Sequence, residues 1–158
     1  MAHKECGCPV IGNESYEGKM FNWEGKTFYV QPVRYIFRVP IDVEKRMAEA
    51  AEAIEKKGYM MEEPPVILSN EGVFSGRMLV GILPPESQDP NVLTFSNSLV
   101  EATVYDRKDA PVSPGVKAFR ERLEKQGKKV KDIYVWHTGC PSCIRLEGYK
   151  SVLFAELE

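Results

Sequence analysis

No run of apolar residues in this chain approaches the roughly twenty needed to cross a bilayer. The opening Met1-Ala2-His3-Lys4-Glu5-Cys6 also lacks the apolar stretch of a secretory leader. These absences predict a cytoplasmic protein with no membrane partner. An excess of one charge is missing too: 21 basic residues stand against 23 acidic ones, for a net charge of −2. That balance gives a nucleic acid no electrostatic hold. The basic group Lys125, Lys128, Lys129 and Lys131 has acidic side chains beside it and reads as a solvated helix end. Histidine is scarce, with only His3 and His137. No Ser/His/Asp order, phosphate-cradling glycine loop or evident two-carboxylate pair appears, so catalysis has no motif behind it. Binding is the expected activity, and whether the chain is also an enzyme stays open.

Cysteine is scarce as well, but its placement is informative. The four residues fall into two close pairs, Cys6-Gly7-Cys8 near one end and Cys140-Pro141-Ser142-Cys143 near the other. In a reducing compartment such pairs point to metal or redox chemistry rather than structural disulfides. Four thiolates suit a closed tetrahedral zinc site, and zinc binding supplies folding free energy on the order of 10 kcal/mol. Cys6, Cys8, Cys140 and Cys143 are therefore the expected ligands of a structural zinc that pins the N-terminal segment to the last hairpin. The same residues admit an iron–sulfur cluster, or no shared site. Cys140 and Cys143 alone have the spacing of a thiol–disulfide oxidoreductase. His137 is a possible substitute ligand or base, although a histidine at a strand end is more often a surface group.

Read in order, residues 1–26 show little periodicity and predict an irregular segment anchored by its cysteines. Thr27 to Val39 is rich in Tyr, Phe, Val and Ile and reads as a strand ended by Pro40. Asp42 is placed to cap a helix whose apolar positions are Val43, Met47, Ala50, Ala51 and Ile54, with Gly58 as its stop. Val66-Ile67-Leu68 and Arg77 to Leu83 follow as strands around the turn Asn70-Glu71-Gly72, and Pro84, Pro85 and Pro90 mark a linker. Leu99 to Tyr105 is another strand. Ser113-Pro114 opens a second helix with Val116, Phe119 and Leu123 as its buried stripe, ended by Gly127. Ile133–His137 and Tyr149–Glu156 are the last strands.

The two halves repeat. Ile54-Glu55-Lys56-Lys57-Gly58 aligns with Leu123-Glu124-Lys125-Gln126-Gly127 at an offset of 69, which also sets Val66 on Val135 and Ile67 on Trp136. Val80 then matches Val152 at an offset of 72, so the second hairpin is longer where Cys140 and Cys143 sit. The predicted fold is α+β: duplicated strand-helix-strand-strand units, residues 27–85 and 92–158, forming an antiparallel sheet with two helices on one face.

This arrangement resembles the GyrI-like small-molecule-binding domain, related to SOUL haem-binding proteins. The residues carrying the resemblance are Glu55-Lys56-Lys57-Gly58 before Pro64-Pro65-Val66-Ile67-Leu68, and the second helix before Asp132-Ile133-Tyr134-Val135. The resemblance implies a groove between the repeats for lipophilic, often cationic, small molecules, with an acidic residue near the position of Asp132. Members of the family are effector modules of regulators, stand-alone proteins and, in a few cases, hydrolases. With no helix-turn-helix segment ahead of the domain, a stand-alone binding protein is expected. Strand parity independently suggests that Tyr134 and Trp136 point away from the helices, and the same logic adds Glu101, Thr103 and Tyr105. Glu101, Tyr105, Tyr134 and Trp136 are thus the expected ligand-binding residues, since aromatic faces with a carboxylate suit an apolar cation. The same face read as a second buried surface or a dimer contact is the alternative, and an inhibitor or adaptor that binds a protein partner through the groove is a further one.

Overall fold

The computed structural model describes residues 16–37, 39–62, 66–72, 74–107, 112–137 and 149–158. The protein is α+β, and its contacts divide it into two compact units, one made of Asn22–Ser98 and the other of Met1–Phe21 with Leu99–Glu158. The first unit is built on strand β2 (Thr27–Ile36), helix α1 (Val43–Lys56), β4 (Ile67–Asn70) and β5 (Ser75–Gly81). Two short strands, β3 (Val39–Pro40) and β6 (Val92–Thr94), pair with β2. Strand β5 lies between β4 and β2, antiparallel to both. The second unit repeats the pattern with β7 (Leu99–Arg107), α2 (Ser113–Lys125), β8 (Val130–His137) and β9 (Tyr149–Leu157). Here β9 lies between β7 and β8, antiparallel to both. In each strand-helix-strand-strand repeat the last strand, β5 or β9, is therefore the central one.

Each helix covers one face of its own ladder. Against α1 pack Tyr29, Val33, Tyr35, Met78, Val80 and Ile82. Against α2 pack Ile133, Val135, Leu153 and Ala155. The stripe of α2 is the expected Val116, Phe119 and Leu123. That of α1 is rotated from expectation: Ala50 and Ile54 are buried and Val43 and Ala53 assist, whereas Met47 and Ala51 are exposed. Alanine carries too little apolar area to fix a helix face, so the larger Ile54 sets the phase.

The helix ends are duplicated down to their hydrogen bonds. Gly58 (φ 74°) donates to the Glu55 carbonyl and Tyr59 to that of Ile54. Gly127 (φ 81°) donates to Glu124 and Lys128 to Leu123. Both are Schellman stops, in which glycine takes the left-handed conformation other residues resist. The helix starts depart from expectation. Asp42 occupies the N-cap position of α1 without capping it; its carboxylate accepts from the Arg34 backbone N–H (2.9 Å) and from Arg46 Nε (2.9 Å). Ser113 lies inside α2, with Val112 at the cap.

Beyond the helices the offset of 69 does not hold. Ile67 opposes Val80 on the helix side of the first ladder, while Trp136 opposes Val152 on the far side of the second. The side-chain equivalent of Ile67 is Val135, because a one-residue slip transfers a strand's side chains to the other face. The longer second hairpin stands: residues 71–74 join β4 to β5, whereas 138–148 join β8 to β9. The stretch read as irregular also contains a strand, β1 (Met20–Asn22), which pairs with β7.

A charged clasp fastens the proline-rich loop after β5. Asp89 accepts from Lys57 Nζ (2.7 Å), Tyr59 Oη (2.6 Å) and the Asn91 backbone N–H (2.9 Å). These bonds, that from Lys57 foremost, lower the carboxyl pKa from 3.8 to about 2. A pKa depressed by folding stabilises above its unfolded value, and the contribution fades as pH falls through the folded one. Stability is thus expected to decline from pH 3.8 towards about 2. In thermal melts across that window Asp89→Asn should flatten the decline; an unchanged slope would show that the clasp does not set acid stability.

Candidate functional site

The second unit carries an aromatic face on the side of its sheet away from α2. Ladder register decides which residues belong to it, since directly opposed residues share a face. Ile133 and Val135 oppose Ala155 and Leu153 under the helix. The intervening pairs, Asp132 with Glu156, Tyr134 with Phe154 and Trp136 with Val152, form the other face. Tyr134 and Phe154 are buried, and Trp136 is half-buried. Tyr16 and Phe21, on either side of the start of β1, add two further half-buried rings.

The four rings form a contiguous cluster. Trp136 stacks with Phe154 at 6.5 Å and 26°. Tyr16 meets Trp136 edge-on at 5.9 Å and Phe154 at 6.3 Å, and Phe21 meets Phe154 at 6.1 Å. Edge-on contacts place hydrogen-rich rims against π faces, the favoured geometry for such pairs. The segment bearing Tyr16 and Phe21 is fixed by backbone bonds from Gly18 to Ala102 (2.9 Å) and from Ala102 to Lys19 (2.9 Å). Glu17 tightens it, accepting from Thr103 Oγ1 at 2.7 and 2.9 Å and lying 3.9 Å from Arg122.

The same face holds two carboxylates. Asp132 and Glu156 oppose each other one row beyond Tyr134 and Phe154, about 7 Å along the strands given their rise per residue. Glu156 is buried and Asp132 half-buried. A carboxylate pair adjoining an aromatic surface can hold a cationic or hydrogen-bond-donating group while the rings hold apolar parts. It can also orient or deprotonate a water.

The expected ligand-binding set is divided by this register. Tyr134 and Trp136 lie on the aromatic face. Glu101, Thr103 and Tyr105 do not: they oppose Ala155, Leu153 and Ser151 on the helix side. Glu101 is buried and ion-paired with Lys128, just after α2. Tyr105 lies over the first turn of α2, where a β-carbon on Gly115 would come within 2.6 Å of its ring. Strand β7 thus lies one residue out of the phase that its alternation predicts. The charged partner of the aromatic face is the pair Asp132 and Glu156, of which only Asp132 was anticipated, through the family resemblance. Phe154 and Glu156 escaped sequence reading because β9 is apolar or buried on both faces, which erases alternation. Ser151 is fully buried on the helix side, so its hydroxyl is no entry point for a substrate.

Cys6, Cys8, Cys140 and Cys143 lie outside the described residues, as does the side chain of His137. Among the described residues no three His, Cys, Asp or Glu side chains gather as a metal site would. No described helix is long and apolar enough to cross a membrane.

The duplicated units have the GyrI-like fold. The chain belongs to the bacterial hydrolase family, whose model matches residues 1–156. No curated protein sequence matches it. Among solved structures, the EcmrR C-terminal domain superposes with a TM-score of 0.70 at 7% identity, covering 90% of this chain and 98% of that one. EcmrR in its DNA complex gives 0.68 at 8%, covering 99% and 61%. A hydrolase from Listeria innocua gives 0.54 at 8%, covering 99% and 97%. At such identities the likeness is one of fold.

Proposed function

We propose that the protein binds a small apolar or cationic molecule on the aromatic face of its second unit. The observation that carries this reading is the cluster of Tyr16, Phe21, Trp136 and Phe154 on the same sheet face as Asp132 and Glu156. Half-buried rings offer π surface without further unfolding, and the carboxylates favour positive charge. Tyr134 and Trp136 remain ligand residues in this reading, joined by Tyr16, Phe21, Phe154, Asp132 and Glu156. Titration with a lipophilic organic cation should quench Trp136 fluorescence, and a neutral molecule of similar shape should bind more weakly. No saturable change with either compound would exclude the site.

A second reading follows from the family. Its description as hydrolases, together with the opposed Asp132 and Glu156, favours hydrolysis of the bound molecule, with one carboxylate as general base on a water. Mass analysis of the ligand recovered from the same titration separates the two readings. A hydrolysed product that Glu156→Gln no longer forms supports catalysis, whereas intact ligand leaves binding alone.

The proposal includes a structural zinc on Cys6, Cys8, Cys140 and Cys143. The contact of Tyr16 with Trp136 supports it, setting the chain eight residues after Cys8 beside the strand that leads to Cys140. Elemental analysis is expected to give about one zinc per chain, as four thiolates would hold. Metal-free protein with four titratable thiols would remove the zinc, and disulfide reduction lost in Cys140→Ser would favour the oxidoreductase alternative.

A further inference from the structure

The four rings of the aromatic face are not held alike. Phe21, Trp136 and Phe154 lie in β1, β8 and β9, whereas Tyr16 stands ahead of β1, outside the strands. Its ring is edge-on to both members of the stacked pair, Trp136 at 5.9 Å and Phe154 at 6.3 Å. Each contact takes up π surface that a ligand ring would use. The face thus carries a ring of its own.

The residue next to Tyr16 holds it there. Glu17 reaches the opposite side of β7, where its carboxylate accepts from the hydroxyl of buried Thr103 (2.7 Å) and from the Val104 backbone N–H (3.4 Å). Arg122, 3.9 Å from the same carboxylate, is itself seated over the Phe119 ring at 5.1 Å. Consecutive residues therefore grip the sheet at β7 from both faces, Glu17 on the α2 side and Tyr16 on the aromatic side. Directly after them the chain turns at Gly18. Lys19 N–H donates to the Tyr16 carbonyl (3.1 Å), and Gly18 has a φ of 70°, in the left-handed region. A β-carbon there would meet nothing within 4 Å, so glycine is needed for conformation and not for space. Gly18 and Lys19 are bonded to Ala102, which gives β1 its own hold on β7. A permissive residue between a paired strand and a ring fixed by its neighbour's side chain has the layout of a hinge.

We infer that Tyr16 gates the ligand site: a ligand reaches Trp136 and Phe154 by turning Tyr16 aside about Gly18, and Glu17 is the latch that positions it. The gate presupposes the ligand site proposed above. Tyr16 lines the ligand once it has entered, so the latch governs how fast ligand enters and leaves more than how tightly it binds.

Stopped-flow quenching of Trp136 by methyltriphenylphosphonium tests the gate, with Glu17→Ala and Thr103→Val freeing the latch from its two sides. Thr103→Val keeps the shape of the side chain without its hydroxyl, and a thermal melt checks that both variants stay folded. Association and dissociation rate constants are both expected to rise at least about threefold in each variant, the scale of a partly exposed charge-assisted bond. Mere damage to the site would instead slow association. Without ligand, acrylamide should quench Trp136 more strongly in both variants than in the parent, with buried Trp23 as a constant background. Unchanged acrylamide quenching, or rate constants no higher than the parent's in either variant, would overturn the gate and leave the ligand site standing. A parent protein that the cation does not quench would sink the ligand site and the gate with it.

Discussion

Truncating Leu153 to alanine is expected to cost about 2–5 kcal/mol of unfolding stability, towards the upper end of that range. Leu153 is fully buried at the middle of β9, opposite Thr103 on one side and Val135 on the other. It packs in the cluster that joins Val116, Phe119 and Leu123 of α2 to the sheet. Shortening the side chain loses its transfer free energy and leaves a cavity. Ladders on both flanks hold the walls of that cavity apart, so little of it can close. The denaturation midpoint should fall while the denaturant slope stays as in the parent protein. A loss below about 1 kcal/mol would mean that the site relaxes, contrary to a core pinned by the central strand.

Trp136→Ala should weaken binding of a lipophilic cation by roughly tenfold to a hundredfold, from lost cation–π attraction and lost apolar contact together. Trp136 is half-buried, so its truncation spares the folding core, and a melting curve checks this. Calorimetry is the suitable measurement, because the variant loses its reporting fluorophore. The remaining tryptophan, Trp23, is an internal control: it is buried among Phe28 and Phe95 in the first unit and should not respond to ligand. Trp136→Phe should retain part of the affinity, and Glu156→Gln should lower affinity for the cation more than for its neutral analogue. Equal affinities in parent and Trp136→Ala would move the ligand elsewhere.

The helices and their glycine stops were legible in sequence because one position decides each. Gly58 and Gly127 are needed for a left-handed turn, and Ile54 and Leu123 lie one turn before them in both repeats. The faces of the strands were less legible. Tyr134 and Trp136 could be separated from Ile133 and Val135 by alternation, but β7 offered no anchor for its phase, since Glu101 and Thr103 are polar residues that are nonetheless buried. Their polarity is satisfied under the helix, by Lys128 and Glu17, through contacts distant in the chain that periodicity cannot reveal. Tyr16 and Phe21 belong to a segment without periodicity, and only its pairing with β7 brings them to the site.

That pairing has a further consequence. Strand β7 is nine residues long and, without β1, would end its sheet with a row of open backbone donors and acceptors. Long exposed edges of this kind recruit strands from other molecules and seed aggregation. The three residues Met20–Asn22, with Gly18 and Lys19 bonded to Ala102, occupy part of that edge. The segment that completes the aromatic face is thus also a guard, and changes that loosen it for the sake of ligand access would expose the protein to self-association.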